Sequence, residues 1–339
     1  MRGESRAPGM HSLRIAEIVR ETADASSFVF QVPDHLADEY RYRAGQFLTF
    51  RVELDGVPHM RSYSMSSSPL VDDAMRVTVK RVPGGVVSNW MNDVLAPGDE
   101  LLATVPAGRF VVDEGAGEIA AYAGGSGITP VLSIIKTVLA ASSRRVRLLY
   151  ANRDRDSVIF GSELAALAGR YPDRLSVVYH FDLHEGYLGL PAHGAFAGTA
   201  ADFFVCGPEP FMDCTRKALA DTGVDAARIR TERFTPVPDG PVRLGSGAPP
   251  VSVSIRLGRQ TVRGEHRPGS TILQTARALG LRPPSSCEAG SCATCMARVL
   301  EGTTQMRNDE VLTPEEIAEG WVLTCQAVPT SPTVRVVYE

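Results

Sequence analysis

Four cysteines in the C-terminal part of the sequence have the type and spacing of a metal-cluster site. Cys287, Cys292 and Cys295 lie in the stretch CEAGSCATC, and Cys325 follows after 29 intervening residues. Three thiolates that converge from one tight loop, with a fourth from further along the chain, are typical of the ligands of a [2Fe–2S] cluster. Gly290 allows the backbone to fold closely around such a cluster and to point its N–H groups at the sulfurs.

A zinc site and a pair of disulfides are the alternatives for these cysteines. Zinc ribbons favour two short Cys-x-x-Cys pairs, and the gap between Cys287 and Cys292 is too long for that pattern. The remaining cysteines, Cys206 and Cys214, are predicted to be reduced. An iron–sulfur protein without an apolar leader segment is expected in the cytoplasm.

A second polar group, Arg61-Ser62-Tyr63-Ser64, lies at the end of a predicted strand. An arginine forms forked hydrogen bonds to the oxygens of a diphosphate. The Tyr63 ring offers a flat face to an isoalloxazine, and Ser64 can hydrogen-bond its edge. The alternative is a surface arginine beside a tyrosine of an edge strand. Lys80, followed by Gly84-Gly85-Val86-Val87-Ser88 at a predicted helix start, favours the flavin interpretation, because helix N-termini bind phosphate.

Two further stretches follow predicted parallel strands. Residues 124–130, GGSGITP, form a glycine-rich turn into a helix, which suits a pyrophosphate, and a structural turn is the alternative. Cys206 to Glu209 follows the fourth of these strands. Ligands of open α/β sheets bind at the carboxyl ends of the strands, so the Cys206 thiol can lie beside a nicotinamide. A buried structural cysteine is the alternative.

The elements that carry these residues predict a multidomain protein. Residues 12–113 contain short alternating strands and one helix at 86–94, which indicates an antiparallel β-barrel. Residues 114–234 alternate strands with helices, which indicates an α/β domain with a parallel sheet. Residues 235–249 are a Pro- and Gly-rich linker, and residues 250–339 have the element order of an α+β domain of the β-grasp type. Residues 1–11 are predicted to be a flexible tail.

Composition excludes some classes of partner. The net charge of −4 gives no reason to expect binding to nucleic acid. No apolar run approaches the roughly 20 residues that cross a bilayer, so no membrane partner is expected. The seven histidines, including His180, His184 and His193, are predicted to lie in loops or at the surface.

Together the motifs resemble the ferredoxin–NADP reductase superfamily fused to a C-terminal plant-type ferredoxin. The order of flavin, nicotinamide and cluster motifs is similar to that of oxygenase reductase components, in the branches of 3-ketosteroid 9α-hydroxylase and phenylacetyl-CoA epoxidase. The resemblance implies catalytic roles for Tyr63, Ser64, Cys206 and Glu232. It implies FAD-binding residues on the barrel, namely Arg61, Ser62, Tyr63, Ser64, Val79, Lys80, Gly85, Val86 and Ser88.

The resemblance also implies contacts to NADH or NADPH. The residues concerned are Gly124, Gly125, Ser126, Gly127, Thr129, Asn152, Arg153, Cys206, Gly207, Pro208 and Glu209. Arg153 favours a 2′-phosphate and its acidic neighbours favour a ribose hydroxyl, so the choice between NADH and NADPH stays open. Related enzymes often place an aromatic near the flavin at the end of this domain, which makes Phe234 a candidate cofactor contact, but a core phenylalanine is the preferred interpretation.

The function that the resemblance implies is electron transfer from NAD(P)H through FAD and a [2Fe–2S] cluster to a terminal oxygenase, by a protein that is expected to be a monomer. A reductase for a cytochrome or a separate ferredoxin is the first alternative. An iron–sulfur sensor without turnover is the second.

Overall fold

In the computed structural model, residues 10–234, 251–285, 288, 290, 293–307 and 311–338 are described, apart from the side chains of residues 58 and 314. The predicted linker and two of the four predicted cluster ligands, Cys287 and Cys292, lie outside the described residues. The chain divides into two compact units, with the boundary in the sequence between Phe234 and Thr235. Each unit is described by itself below.

Alternating apolar residues build the barrel of the first unit. Its elements are β1 (Met10–Thr22), β2 (Ala25–Gln31), β3 (Phe47–Leu54), β4 (Val57–Ser64), β5 (Met75–Lys80), α1 (Val86–Val94) and β6 (Glu100–Thr104). The strands pair antiparallel in the order β4-β3-β6-β1-β2-β5. A bridge between Met65 and Val77 joins the two ends of this order and closes the barrel. Met10 and His11, which were predicted to belong to the tail, begin β1 and pair with β6.

The rest of the first unit is an α/β layer structure. Its elements are β7 (Ile119–Gly124), α2 (Ile128–Ala141), β8 (Val146–Asn152), α3 (Gly161–Arg170), β9 (Leu175–Phe181), α4 (Asp182–Glu185), α5 (Leu190–Ala197), β10 (Asp202–Cys206), α6 (Glu209–Asp221) and β11 (Ile229–Glu232). All five strands are parallel, in the order β11-β10-β7-β8-β9. Every residue of β7 is buried, because α2 and α3 cover one face of the sheet and α5 and α6 cover the other.

A buried lysine joins the barrel to the α/β half of this unit. Lys136 on α2 contacts the carboxylates of Asp72, from the barrel, at 2.6 Å and of Glu163, on α3, at 2.7 Å. Its side chain is only 6% exposed. Arg76 on β5 also pairs with Glu163, at 2.9 Å. The two halves of the first unit are therefore joined by paired charges as well as by apolar packing.

The second unit is a mixed sheet with a helix packed on it. Its elements are β12 (Val251–Leu257), β13 (Gln260–His266), α7 (Ile272–Ala278), β14 (Met296–Glu301), β15 (Thr304–Met306), α8 (Pro314–Ala318), β16 (Trp321–Leu323), β17 (Ala327–Pro329) and β18 (Thr333–Tyr338). The main sheet has the order β13-β12-β18-β14-β16, with β12 and β18 parallel. Ile272 and Ala276 of α7 pack on Val253, Ile255 and Val336. This is the predicted β-grasp arrangement.

The three predicted architectures are confirmed. The prediction that the histidines lie in loops or at the surface is wrong for His180, His193 and His266, while His184 is exposed as predicted. His193 is 0% exposed and its Nδ1 lies 3.0 Å from the Thr215 hydroxyl, between α5 and α6. His180 and His266 are also buried. Burial lowers the pKa of His193 and of His266. Among the described residues, no helix is long and apolar enough to cross a membrane.

Candidate active site and cluster site

The two glycine-containing loops that follow β7 and β10 are packed against each other. A Cβ atom built on Gly127 would lie 2.1 Å from the Cys206 carbonyl oxygen, and one on Gly207 would lie 3.0 Å from the Gly124 Cα. A Cβ on Gly124 would meet the Pro208 ring at 2.8 Å. Bare backbone is therefore required on both sides of this contact. The fold brings the predicted stretches 124–129 and 206–209 together at the carboxyl edge of the sheet.

The start of α2 has the properties of a phosphate site. Gly127 is its N-cap and makes no side-chain cap, and the first turn of the helix contains no acidic residue. Gly125 has a positive φ of 52°. A Cβ at Gly125 would lie 3.5 Å from the Lys80 amino nitrogen, so a cation from the barrel stands beside the turn. Helix N–H groups and an ammonium together favour an anion at this position.

A carboxylate, a hydroxyl and a thiol meet where β10 and β11 end. Glu232 is buried, and the Ser64 hydroxyl donates to its Oε2 at 2.8 Å. Cys206 pairs with Glu232 in the register of the parallel sheet. Burial, with a smaller contribution from the Glu232 charge, raises the pKa of the Cys206 thiol far above its usual range. The thiol is therefore uncharged at neutral pH. Three of the four predicted catalytic residues are thus neighbours in the structure.

The fourth predicted catalytic residue, Tyr63, lies on β4 between Ser62 and Ser64. Its ring is half-buried and tilts against Phe50, with 6.2 Å between the ring centroids. Burial raises the pKa of Tyr63, so its hydroxyl stays protonated. Ser62 shares a hydrogen bond of 2.9 Å with the Thr49 hydroxyl. Arg61 donates through Nη1 to the Met60 carbonyl at 2.9 Å.

The other predicted FAD-binding residues lie at the end of β5 and the start of α1. Val79 is buried in the barrel, while Lys80 is half-buried and Val86 is 51% exposed. Burial lowers the pKa of Lys80. Gly85 is the N-cap of α1, again without a side-chain cap. The Ser88 hydroxyl accepts from the Val82 N–H at 3.1 Å and holds the turn before the helix.

The segment after β8 has charges of both signs. The Asn152 side chain is buried at the end of the strand, whereas Arg153 is exposed. Arg153 pairs through Nε with the Asp154 carboxylate at 2.9 Å and lies 4.0 Å from that of Asp24. Asp154 also caps the following turn by accepting from the Ser157 N–H at 2.8 Å. Neither charge decides between the two nicotinamide donors.

Two residues near the end of the first unit are exposed. Phe234 is 41% exposed, so the preferred interpretation as a core phenylalanine is wrong. Glu209, at the start of α6, accepts from Arg233 Nη1 at 3.0 Å. This ion pair links the loop after β10 to the segment between Glu232 and Phe234.

An open cavity of about 560 Å³ lies in the first unit beside the carboxyl end of β9. The residues after β8 and the end of β9 form one wall, where the Arg155 guanidinium stands 5.4 Å from the centroid of the Phe181 ring. Glu21 and Arg76 of the barrel form part of the other wall. Arg155 and Phe181 were not among the site residues predicted from the sequence, and Phe181 ends the observed parallel strand β9.

In the second unit, the two described cluster cysteines lie in one apolar group. Cys295 is 2% exposed and Cys325 is 6% exposed, and they pack with Leu273, Leu312 and Leu323. Left-handed backbone at Glu288 and Ala293, with φ of 53° and 58°, marks the ligand loop as a tight turn. The Gln326 amide donates to Cys325 Sγ at 3.5 Å. Buried thiols, a tight loop and a donor aimed at a sulfur fit an iron–sulfur cluster.

Comparisons with known proteins match each part of the chain. Residues 12–112 match a family model described as an oxidoreductase FAD-binding domain. Residues 122–217 match an oxidoreductase NAD-binding domain, and residues 255–330 match a 2Fe-2S iron-sulfur cluster binding domain. The chain is 40% identical to the ferredoxin reductase component of 3-ketosteroid-9-alpha-monooxygenase from Rhodococcus rhodochrous, over 96% of this chain and 95% of that protein. The chain belongs to the family of three-domain oxygenase reductases.

Other members of this reductase family are similar over the full length. The chain is 34% identical to one component of the 1,2-phenylacetyl-CoA epoxidase of Escherichia coli K12, over 97% of this chain and 98% of that one. Phthalate dioxygenase reductase has the same fold, with a TM-score of 0.61, 24% identity and coverage of 97% and 98%. The predicted resemblance and fold class are therefore confirmed.

The reductase is an NAD(P)H-dependent enzyme whose cofactors are FAD and a [2Fe–2S] cluster. When bound, FAD would supply hydride chemistry with NAD(P)H, and a [2Fe–2S] cluster would supply single-electron transfer. The uncapped starts of α1 and α2, with Lys80 nearby, fit the phosphates of two dinucleotides. The sensor alternative has no support from these findings.

Two residues with notable contacts were not predicted from the sequence: Lys136, which pairs with two carboxylates, and Gln326, which contacts a predicted ligand sulfur. Lys136 stands within a helix of otherwise mostly apolar residues, ITPVLSIIKTVLAA, and a charge on a buried helix indicates a paired partner. Gln326 follows the last cluster ligand directly, and that adjacency was the only sequence indication of its contact with the sulfur.

Proposed function

We propose that this reductase delivers electrons to the terminal oxygenase of a multicomponent oxygenase that acts on steroid or aromatic substrates. The observation that carries the proposal is the full-length likeness to the reductase component of 3-ketosteroid-9-alpha-monooxygenase. The same three sites, in the same order, are present here. A cytochrome or a separate ferredoxin is the alternative acceptor.

The proposed flavin site is built from β4, β5 and α1. Arg61 and the start of α1, from Gly85 to Ser88, would hold the diphosphate through charge and helix N–H groups. The half-buried Tyr63 ring would lie along one face of the isoalloxazine. Phe234, exposed at the end of β11, would contribute an aromatic ring at the same cofactor. Ser62, Val79 and Val86 complete the set as wall residues.

The proposed hydride-transfer site is the Ser64–Glu232–Cys206 group. The Ser64 hydroxyl, ordered by its bond to Glu232, would present a hydrogen-bonding oxygen to the reactive edge of the flavin. The Cys206 thiol, kept uncharged by burial, would form an apolar wall beside the nicotinamide. Glu232 orients Ser64 and keeps a negative charge near the cationic ring of the oxidised donor.

The proposed donor site begins at the turn before α2 and runs along the sheet edge. Gly124 to Gly127, with Thr129, would bind the pyrophosphate, and Gly207 to Glu209 would border the nicotinamide half. Asn152, Arg153 and the cavity beside Phe181 would receive the adenosine half, since they follow the carboxyl ends of β8 and β9. NADH and NADPH are both candidate donors.

The proposed cluster ligands are Cys287, Cys292, Cys295 and Cys325. We further propose domain limits of 12–113, 114–234 and 250–339, with residues 235–249 as a linker, and a monomer that acts in the cytoplasm. The compartment is supported by the thiolate ligands and by the free Cys206 and Cys214, which need a reducing environment.

Reconstitution tests the proposed acceptor. The purified reductase would be mixed with the terminal component of a 3-ketosteroid 9α-monooxygenase, a 3-ketosteroid and NADH or NADPH, and hydroxylated product would be measured against donor consumed. We expect product in near-equal amount to donor. Cytochrome c serves as a control acceptor that needs no specific docking. Fast reduction of cytochrome c without any product would support the alternative acceptors.

The Ser64→Ala variant tests the proposed hydride-transfer site. Loss of the hydroxyl leaves the buried Glu232 carboxylate without this donor and removes a polar contact from the flavin edge. We expect flavin reduction by NAD(P)H to slow by about 10- to 100-fold with FAD still bound. Stopped-flow absorbance would measure the rate. The control is Ser12→Ala, which removes a half-buried serine of β1 whose hydroxyl donates to the Glu100 carboxylate, away from the proposed site. An unchanged rate would remove Ser64 from the site.

A further inference from the structure

The residue after the last cluster ligand turns its side chain back onto that ligand. Gln326 is half-buried, and its Nε2 atom lies 3.5 Å from Cys325 Sγ and 2.8 Å from the carbonyl oxygen of Glu288. Glu288 belongs to the loop between Cys287 and Cys292. One amide therefore contacts the sulfur of the fourth ligand and the backbone of the loop that carries the first three.

The chemistry of these partners fixes the orientation of the amide. A glutamine amide nitrogen has two N–H donors, and both neighbours here are acceptors. A flipped amide would place its own carbonyl oxygen against a carbonyl and a sulfur. Both hydrogens of Nε2 are thus used, one on each partner, and the side chain has one favourable position.

The surroundings strengthen the contact with the sulfur. Cys325 is 6% exposed and packs with Cys295, Leu273 and Leu323. In an apolar environment a hydrogen bond to a charged acceptor is stronger than in water. Nearby, the Tyr338 hydroxyl donates to the Thr324 hydroxyl, which donates to the Cys295 carbonyl oxygen at 2.9 Å. These two hydrogen bonds stabilise the backbone of a proposed ligand and do not contact its sulfur.

We propose that Gln326 is a positioning residue that raises the reduction potential of the [2Fe–2S] cluster by donating a hydrogen bond to Cys325 Sγ. The inference rests on the cluster ligands proposed above. Reduction adds negative charge to the cluster and its thiolates. A donor to a ligand sulfur stabilises the reduced form more than the oxidised form and shifts the potential upward.

The test is a redox titration of the purified holoprotein, followed by the EPR amplitude of the reduced cluster. Gln326→Leu keeps much of the side-chain volume but has no donor. We expect the equilibrium constant for one-electron reduction of the cluster to fall about tenfold, as for loss of one hydrogen bond to a charged group. This change lowers the midpoint potential by about 59 mV. Gln305→Leu, which changes an exposed glutamine on β15, is the matched control and should leave the midpoint unchanged. A Gln326→Leu midpoint equal to that of the wild type would overturn the proposal.

A second measurement separates tuning from loop support. If Gln326 only supports the loop through Glu288, Gln326→Leu would lose iron and sulfide while the remaining cluster keeps the wild-type midpoint, and this result overturns the proposal. Labelling of glutamine side chains with ¹⁵N needs no variant: the reduced wild-type cluster should show a hyperfine coupling to a side-chain nitrogen. Absence of that coupling also contradicts the hydrogen bond.

These readouts do not depend on the acceptor. They use the reductase alone, so a failure of the proposed oxygenase partnership would leave the midpoint shift in place. A preparation that binds iron through ligands other than the four cysteines would be recognised earlier, because its EPR spectrum would not be that of a [2Fe–2S] cluster.

Discussion

The two units of this reductase assemble their sites in different ways. The proposed site of the first unit combines residues that are far apart in the sequence, such as Ser64 and Glu232, which the fold and a hydrogen bond bring together. The proposed ligands of the second unit are three cysteines of one loop and one later cysteine. Their residue type and spacing make them recognisable in the sequence. A motif of ligands can be read directly, whereas a site assembled by topology becomes visible only when the fold is known.

Removing one ligand should have the largest effect and should be confined to one unit. Cys325→Ser replaces a thiolate in an apolar pocket, and we expect loss of the cluster and of electron transfer to cytochrome c. Reduction of ferricyanide by NAD(P)H should persist, because the first unit is unchanged. Iron content and the two steady-state assays measure this. Loss of both activities would show that the two sites are not independent.

A methyl group in the turn before α2 should damage only the first unit. Gly127→Ala places a Cβ 2.1 Å from the Cys206 carbonyl. We expect a loss of about 2–3 kcal/mol in unfolding free energy and a weaker affinity for NAD(P)H, with the cluster spectrum unchanged. Urea unfolding and donor titrations measure these.

The control for this change is Gly169→Ala on α3, where nothing lies within 4 Å of the added carbon. That variant should be neutral or more stable by up to about 1 kcal/mol. Equal losses in the two variants would mean that the close contact of the two loops does not matter.

Replacing the buried Lys136 tests whether its ion pairs contribute to the stability of the first unit. Lys136→Met leaves the Asp72 and Glu163 carboxylates without their shared cation. We expect a loss of about 2–3 kcal/mol, at the lower end for a buried pair because both carboxylates retain some exposure. The exposed pair of Lys217 and Asp221 provides the control: Lys217→Met should change stability by less than about 0.5 kcal/mol. Similar values for the two variants in urea unfolding would contradict a structural role for Lys136.

The sequence predicted the three architectures from local periodicity, and its local spacing carries the prediction of the cluster ligands and of the two nucleotide loops. It did not predict the short β11, which places Glu232 beside Cys206, since four residues carry too little pattern. The pairing of Ser64 with Glu232 across 168 residues has no local trace. The burial of His193 was missed because its partner, Thr215, lies on another helix.

The smallest predicted effect is a dependence of stability on alkaline pH. The folded-state pKa of Cys206 is raised, so its contribution is complete below the unfolded pKa of about 8.5 and is lost as the pH rises above it. We expect unfolding free energy to fall by up to about 1.4 kcal/mol per pH unit between about pH 8.5 and 10. Cys206→Ala should remove most of this slope.

Cys214 provides the comparison for this pH effect. Burial raises its pKa as well, but the residue is partly exposed, so Cys214→Ala should flatten the slope less. Urea unfolding at several pH values measures both variants. Identical slopes in the wild type and Cys206→Ala would contradict a buried neutral thiol at this site.

The most direct test of electron flow through both units is an anaerobic titration of the holoprotein with NADH and with NADPH, followed by visible absorbance and EPR. With at least one donor, the account predicts uptake of about three electrons per chain, two at the flavin and one at the cluster, and the EPR signal of a reduced [2Fe–2S] centre. Bleaching of the flavin with neither donor, or flavin reduction that never produces the cluster signal, would contradict it.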